Sequence, residues 1–243
     1  MATTTVHMIL QGKGGVGKSF IAAAIAQYKL ARLTRPLCID TDPVNSTFSG
    51  YKSIAANRLQ ILEGDEINTR NFDALVEQIA TSTEDVIIDN GASSFVPLSH
   101  YLLSNHVPAL LREMDRAFVI HTVITGGQSL IDTTNGLNRL VTQFSSDAVF
   151  VVWLNPYWGP IEHEGKSFEQ LKVYVAHRSL ILGIVRIPSL KAETYGRDLS
   201  DMLQARLTFD EALAMDSLTI MTRQRLKIIQ SQLYAQIAAV PVI

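Results

Sequence analysis

The sequence is short of cysteine and of charge. Cys38 is the single cysteine among 243 residues, so no internal disulfide can form and a reducing compartment is the simplest expectation. Charged side chains make up 18% of the chain and nearly cancel: 21 lysines and arginines against 23 aspartates and glutamates leave a net charge of −2. Residues 1–150 carry 11 basic and 14 acidic side chains, and residues 151–243 carry 10 and 9. Neither part has the basic surplus that drives binding to nucleic acid, so charge gives no indication of a DNA contact. No apolar run reaches the ~18 residues of a membrane span, and residues 1–5 lack the basic start of a secretion signal. Repeats, low-complexity tracts and Pro/Gly/Ser-rich linkers are missing too. These absences predict a cytoplasmic protein with a single domain over residues 1–243. A hydrophobic content of 47% is ordinary for a globular chain.

What is present is concentrated in Gln11–Ser19, Gln-Gly-Lys-Gly-Gly-Val-Gly-Lys-Ser, which follows an apolar run of Val6, Met8, Ile9 and Leu10. Four glycines, at 12, 14, 15 and 17, let the backbone take positive φ and turn its amides inward around a phosphate. An alanine-rich stretch from Phe20 to Leu33 then predicts a helix whose N-terminus points at the same place. The spacing Gly12-x-x-x-x-Gly17-Lys18-Ser19 is that of a P-loop, in which Lys18 reaches the β- and γ-phosphates and the Ser19 hydroxyl ligates Mg²⁺. The predicted nucleotide contacts are Gly12, Lys13, Gly14, Gly15, Val16, Gly17, Lys18, Ser19 and Phe20.

Further along, short apolar runs end in polar side chains. Pro36–Asp40 reads as a strand stopped by Pro43, with Asp40 and Asp42 at its carboxyl end facing the phosphates. Asp40 suits support of Mg²⁺ or of the loop, and an Asp-Pro pair also caps turns. Val86–Asp89 is another strand ending in a carboxylate; Ala117–Ile124, Ala148–Leu154 and Ser179–Ile187 are three more. Leu59–Leu62 predicts an edge strand, Asn71–Ala80 a covering helix, and Ser129 with Asp132 a capping box for a helix reaching Phe144. His100 and His106, six apart, read as structural. Tyr157-Trp158-Gly159-Pro160 places aromatics beside Asn155, suited to base stacking or a protein contact, and Thr125–Gln128 has no assigned chemistry. The C-terminal helix expected over 217–239 has Leu226, Ile229, Leu233 and Ile237 on one stripe and Arg223, Arg225 and Lys227 off it. Packing on the sheet explains that pattern better than a membrane contact. Alternating strands and helices predict an α/β fold, a mostly parallel β-sheet flanked by helices on both faces.

A second lysine inside the loop, Lys13, gives Lys-Gly-Gly-Val-Gly-Lys-Ser, which resembles the deviant P-loop of the ParA and MinD family of ATPases. The resemblance implies a P-loop NTPase fold, ATP and Mg²⁺ as ligands, and an ATP-dependent homodimer in which Lys13 acts on the partner's nucleotide. It also implies that Asp42 orients the attacking water, that Asp89 holds Mg²⁺ through a water, and that Asn155 meets the adenine edge. The resemblance extends from residue 6 to at least residue 190. A lone cysteine departs from the family's iron–sulfur branch. Asp42-Pro43-Val44-Asn45 lacks the usual glutamine after the proline, which bears on hydrolysis more than on binding, and Asn90–Ser94 replaces a Pro-Pro pair with small residues suited to a mobile phosphate sensor. Leu37–Asn45, Ile88–Pro97 and Trp153–Pro160 are most similar to a branch acting in plasmid conjugative transfer, which implies a protein partner in a plasmid transfer apparatus. Plasmid partition, membrane positioning, a small-molecule kinase or ligase and a nucleotide-binding scaffold with little hydrolysis stand as alternatives.

Overall fold

The computed structural model describes residues 4–243, so the first three residues of the expected domain lie outside the described residues. Seven strands form one sheet: β1 (Thr4–Ile9), β2 (Leu37–Asp40), β3 (Asn57–Arg58), β4 (Val86–Asp89), β5 (Arg116–Thr125), β6 (Val149–Asn155) and β7 (Ile181–Arg186). Their spatial order is β7-β6-β5-β1-β4-β2-β3, and every neighbouring pair is parallel. Successive crossovers go first to one side of β1 and then to the other. The crevice where a doubly wound sheet binds ligands therefore opens at the carboxyl end of β1.

Strand alternation sends side chains into two cores. Val6, Met8, Ile88, Ile120 and Val152 face one side. There they meet α2 (Asp73–Thr81), α3 (Phe95–Ser104), α4 (Val107–Glu113), α5 (Leu130–Phe144) and α6 (Lys172–His177). Ile9, Ile87, Val119, Val151 and Trp153 face the other. That side is covered by α1 (Lys18–Leu30), α7 (Arg197–Gln204), α8 (Phe209–Ala214) and α9 (Ile220–Ala238). Ala22, Ala23, Ala24 and Ala26 of α1 are all fully buried, so small side chains let this helix lie between the sheet and α9. On α9, Leu226, Ile229, Leu233 and Ile237 are buried against the same core. That apolar stripe is occupied, and among the described residues no helix is long and apolar enough to cross a membrane.

One local expectation changes. The edge strand forms at Asn57–Arg58, not Leu59–Leu62, because Leu59 and Ile61 turn into the core while Leu62–Glu63 folds back on Glu66–Ile67. Residues 95–114, an apolar stretch with prolines at 97 and 108, form two helices that part at His106, whose φ is 51°.

One polar cluster lies inside the second core. His7 of β1, His121 of β5 and Trp153 of β6 are fully buried. The Trp153 indole donates to His121 Nδ1 at 3.0 Å, so His121 carries its proton on Nε2 and donates to His7 Nδ1, also at 3.0 Å. The proton of His7 is then on Nε2, which has no partner. Burial, and next the charge of Lys29, hold the His7 pKa down at about 3; burial, His7 and Lys29 hold His121 well below its ordinary value.

Candidate functional site

The loop between β1 and α1 is built as a nest. Gly17 is the N-cap of α1 with φ 101°, a conformation a side chain would resist, and its carbonyl accepts from Ile21 N at 3.0 Å. Lys18 is 8% exposed; its ammonium crosses the loop to donate to the Lys13 carbonyl at 2.9 Å. Burial lowers its pKa, and Asp89 and Asp42 oppose that shift. Val16 is buried, while Gly12, Lys13, Gly14 and Gly15 are open to solvent and Ser19 and Phe20 are half-buried at the helix start.

Three carboxylates gather here because β2 and β4 end beside the loop. Asp40 is fully buried, and its two oxygens accept from the amides of Asp42 (3.0 Å) and Ser49 (2.8 Å). Its geometry is that of loop support, one of its two expected uses. Asp42 is half-buried; it accepts from the amides of Val44 (2.9 Å) and Asn45 (3.2 Å) as a turn cap, and its carboxyl lies against Gly91. Asp89 is different. It is 1% exposed, and neither of its oxygens accepts a hydrogen bond of normal geometry. Burial raises its pKa to about 7; the Ser19 hydroxyl pulls against this, Asp40 adds to it, and Lys18 opposes it. An orphaned, buried carboxylate next to a serine hydroxyl is a donor set that fits Mg²⁺.

After Asp89 the chain is less free than its small residues suggest. Asn90 and Ser94 are buried and joined at 2.8 Å, and the Thr41 hydroxyl donates to the Asp89 carbonyl at 3.0 Å. Ala92 and Ser93 are the more open part.

The outer side of the loop brings together residues the sequence did not associate. Lys13 Nζ sits 2.7 Å from Asp132 Oδ2, with both side chains about half exposed. Asp132 thus belongs to the site and not to a capping box: Ser129 makes no side-chain cap, and its backbone is already helical. The Asn155 amide donates to the Val16 carbonyl at 2.9 Å, and its oxygen accepts from Tyr157 N at 3.2 Å. Trp158 reaches the Gly15 carbonyl through its indole at 3.5 Å. At the root, Gln11 donates to the carbonyls of Val123 (3.0 Å) and Thr133 (3.3 Å). Apart from the Tyr157 amide, none of these partners is local, so motif spacing carried no signal for them. The fully buried Thr125 lends its amide to the Thr133 hydroxyl at 3.3 Å.

The model of the CobQ/CobB/MinD/ParA nucleotide binding domain matches residues 7–205. A protein of Escherichia coli named Protein TraL is 67% identical over 238 residues, spanning 98% of this chain and 99% of that one. Among solved structures, the MinD cell division protein of Aquifex aeolicus is similar with a TM-score of 0.53 at 16% identity, over 96% of this chain and 97% of that one. The MinC:MinD cell division protein complex of the same organism contains a chain similar at 0.55 and 15%, over 96% of each. At those identities the structures speak for the fold, and they agree with the parallel sheet and flanking helices. The motif match and the full-length relative carry the rest: this chain belongs to the CobQ/CobB/MinD/ParA family of nucleotide-binding domains.

Proposed function

We propose that the protein is an ATP-fuelled, Mg²⁺-dependent switch that pairs with a second copy of itself and serves plasmid conjugative transfer. The observation that carries this reading is Asp89, a buried carboxylate with two unpartnered oxygens beside Ser19 and the P-loop lysine. Ser19 and Asp89 would hold Mg²⁺, which when bound neutralises charge on the phosphates and polarises the bond to be broken. The loop amides and Lys18 bind and orient the phosphates. A groove of about 550 Å³ at the carboxyl ends of β6 and β7, lined by Leu154, Pro156, Ile187 and Pro188, suits an adenine base.

Asp42 positions the attacking water from its place over Gly91. Its Oδ1 is also engaged by the amides of Val44 and Asn45, and its Oδ2 accepts from the Asn45 side-chain amide, which supports slow turnover and a second reading, a nucleotide-binding scaffold with little hydrolysis. Lys13 is held by an exposed aspartate, an interaction weak enough to exchange for a phosphate on a partner subunit. The transfer role rests on the 67% identity to the TraL protein and on the stretches 37–45, 88–97 and 153–160.

Light scattering tests the switch. Subunit mass should double with ATP and Mg²⁺ but not with ADP; Lys13→Ala should abolish the dimer, and Asp42→Ala should make it persist. A mass indifferent to nucleotide in every sample would sink the reading.

A further inference from the structure

We infer that Asn155 and Trp158 are positioning residues for the phosphates, acting through the outward carbonyls of the P-loop. The inference rests on the nucleotide-binding reading above and concerns how its affinity arises.

A loop that turns its amides inward must turn its carbonyls outward, and an outward carbonyl without a partner weakens the nest. Two consecutive carbonyls are met from one neighbouring segment. The Asn155 amide donates to Val16 O at 2.9 Å, and the Trp158 indole donates to Gly15 O at 3.5 Å. A Cβ on Gly17 would stand 3.0 Å from the Asn155 amide nitrogen, so that side chain packs along the loop. The Asn155 oxygen simultaneously accepts from Tyr157 N and so folds the short turn Pro156–Trp158 that presents Trp158. Both ends of the amide serve loop geometry.

The turn cannot retreat, because a second loop backs it. A Cβ on Gly126 would stand 2.2 Å from the Gly159 carbonyl and 2.3 Å from that of Pro160, and one on Gly127 would stand 2.6 Å from that of Trp158. The two backbones are in contact along a seam without side chains. The backing loop then runs into α5, which holds Gln11 through the Thr133 carbonyl and Lys13 through Asp132. From outside, the P-loop is gripped at residues 11, 13, 15 and 16. Of these contacts the Gln11 and Asn155 bonds are the more buried, so they persist when the exposed Lys13 leaves.

The test separates phosphate from base. Titration calorimetry with ATP, GTP and inorganic tripolyphosphate, each with Mg²⁺, is run on the wild type, Asn155→Ala and Trp158→Phe. Asn155→Ala should weaken all three about tenfold, and Trp158→Phe, which keeps the ring and removes the donor, about threefold. Tryptophan emission gives a readout independent of the affinities and of Asn155→Ala. Trp153 is fully buried in the sheet and Trp158 is 57% exposed, so a change on adding tripolyphosphate, absent in Trp158→Phe, reports the loop contact. A loss confined to ATP, or an emission change that needs a base, would overturn the inference and make these residues base contacts. Unchanged affinities in both variants would overturn it as well. Should Asn155→Ala not fold, Trp158→Phe and the emission signal decide alone. A wild type that binds none of the three would instead overturn the nucleotide-binding reading, and this inference with it.

Discussion

Asp89 and His7 are ionisable side chains buried on neighbouring strands, β4 and β1, two register positions apart, yet burial acts on them in opposite senses. The carboxyl of Asp89 is pushed up to about 7 and keeps two oxygens without partners. The imidazole of His7 is pushed down to about 3 and is bonded, through His121, into a chain ending at Trp153. Both shifts favour the neutral form. The difference lies in what neighbours supply: the histidines bond one another and leave only the Nε2 of His7 without a partner, sealed inside the core, whereas both oxygens of Asp89 are unpartnered and lie beside Ser19 and Lys18 at the loop. A buried polar group sealed in the core belongs to the fold, and one that borders a ligand loop is the candidate for function.

The largest effect expected from this contrast is in acid. His7 binds a proton at pH 6.5 when unfolded but only near pH 3 when folded, so its contribution is fully present above 6.5 and is lost as pH falls through that window. By pH 4 the loss from His7 alone is roughly 3 kcal/mol, and His121 adds to it in the same sense. Urea unfolding at pH 7 and pH 4 should show the drop in wild type and a smaller one in His7→Phe; equal pH dependence in the two proteins would remove the histidines from the account.

A smaller effect of opposite sign belongs to Asp89. Asp89→Asn removes a charge that the metal-free fold resists, so the apoprotein at pH 8 should gain about 2 kcal/mol while its nucleotide affinity stops responding to Mg²⁺. A destabilised variant would mean that Asp89 is satisfied in solution. The smallest effect is at the exposed pair. Asp132→Ala should change stability by under about 0.5 kcal/mol, since surface ion pairs contribute little, yet lower by about threefold the ATP concentration that half-dimerises the protein. A higher ATP requirement would show that Asp132 aids the dimer and does not restrain Lys13.

The same contrast explains what the sequence disclosed. Lys18, Ser19, Asp40, Asp42 and Asp89 were legible because each sits within a residue or two of a strand end or helix start, and in a parallel sheet all carboxyl ends share one edge. The parallel sheet itself was legible from alternating apolar runs. Asp132, Trp158 and the His7–His121 pair were not, because their partners lie more than 100 residues away and nothing local marks them. Asp132 was even claimed by a local rule, the capping box, which lost to a long-range partner. Leu59 and Ile61 misled in the same manner: their apolar spacing suits a strand, but the core they fill lies off the sheet edge.

The alanine belt of α1 has a mechanical consequence. Ala22, Ala23, Ala24 and Ala26 bring the helix close to its neighbours, and Ile21, Ile25, Tyr28 and Lys29 of the same helix are buried beside them, so it has little slack in which to slide or roll. In the proposed nucleotide cycle this helix would therefore be no piston: the freer parts are at the rim, in the turn after Asp42, the short open stretch at Ala92 and Ser93, and the exposed Lys13 side chain.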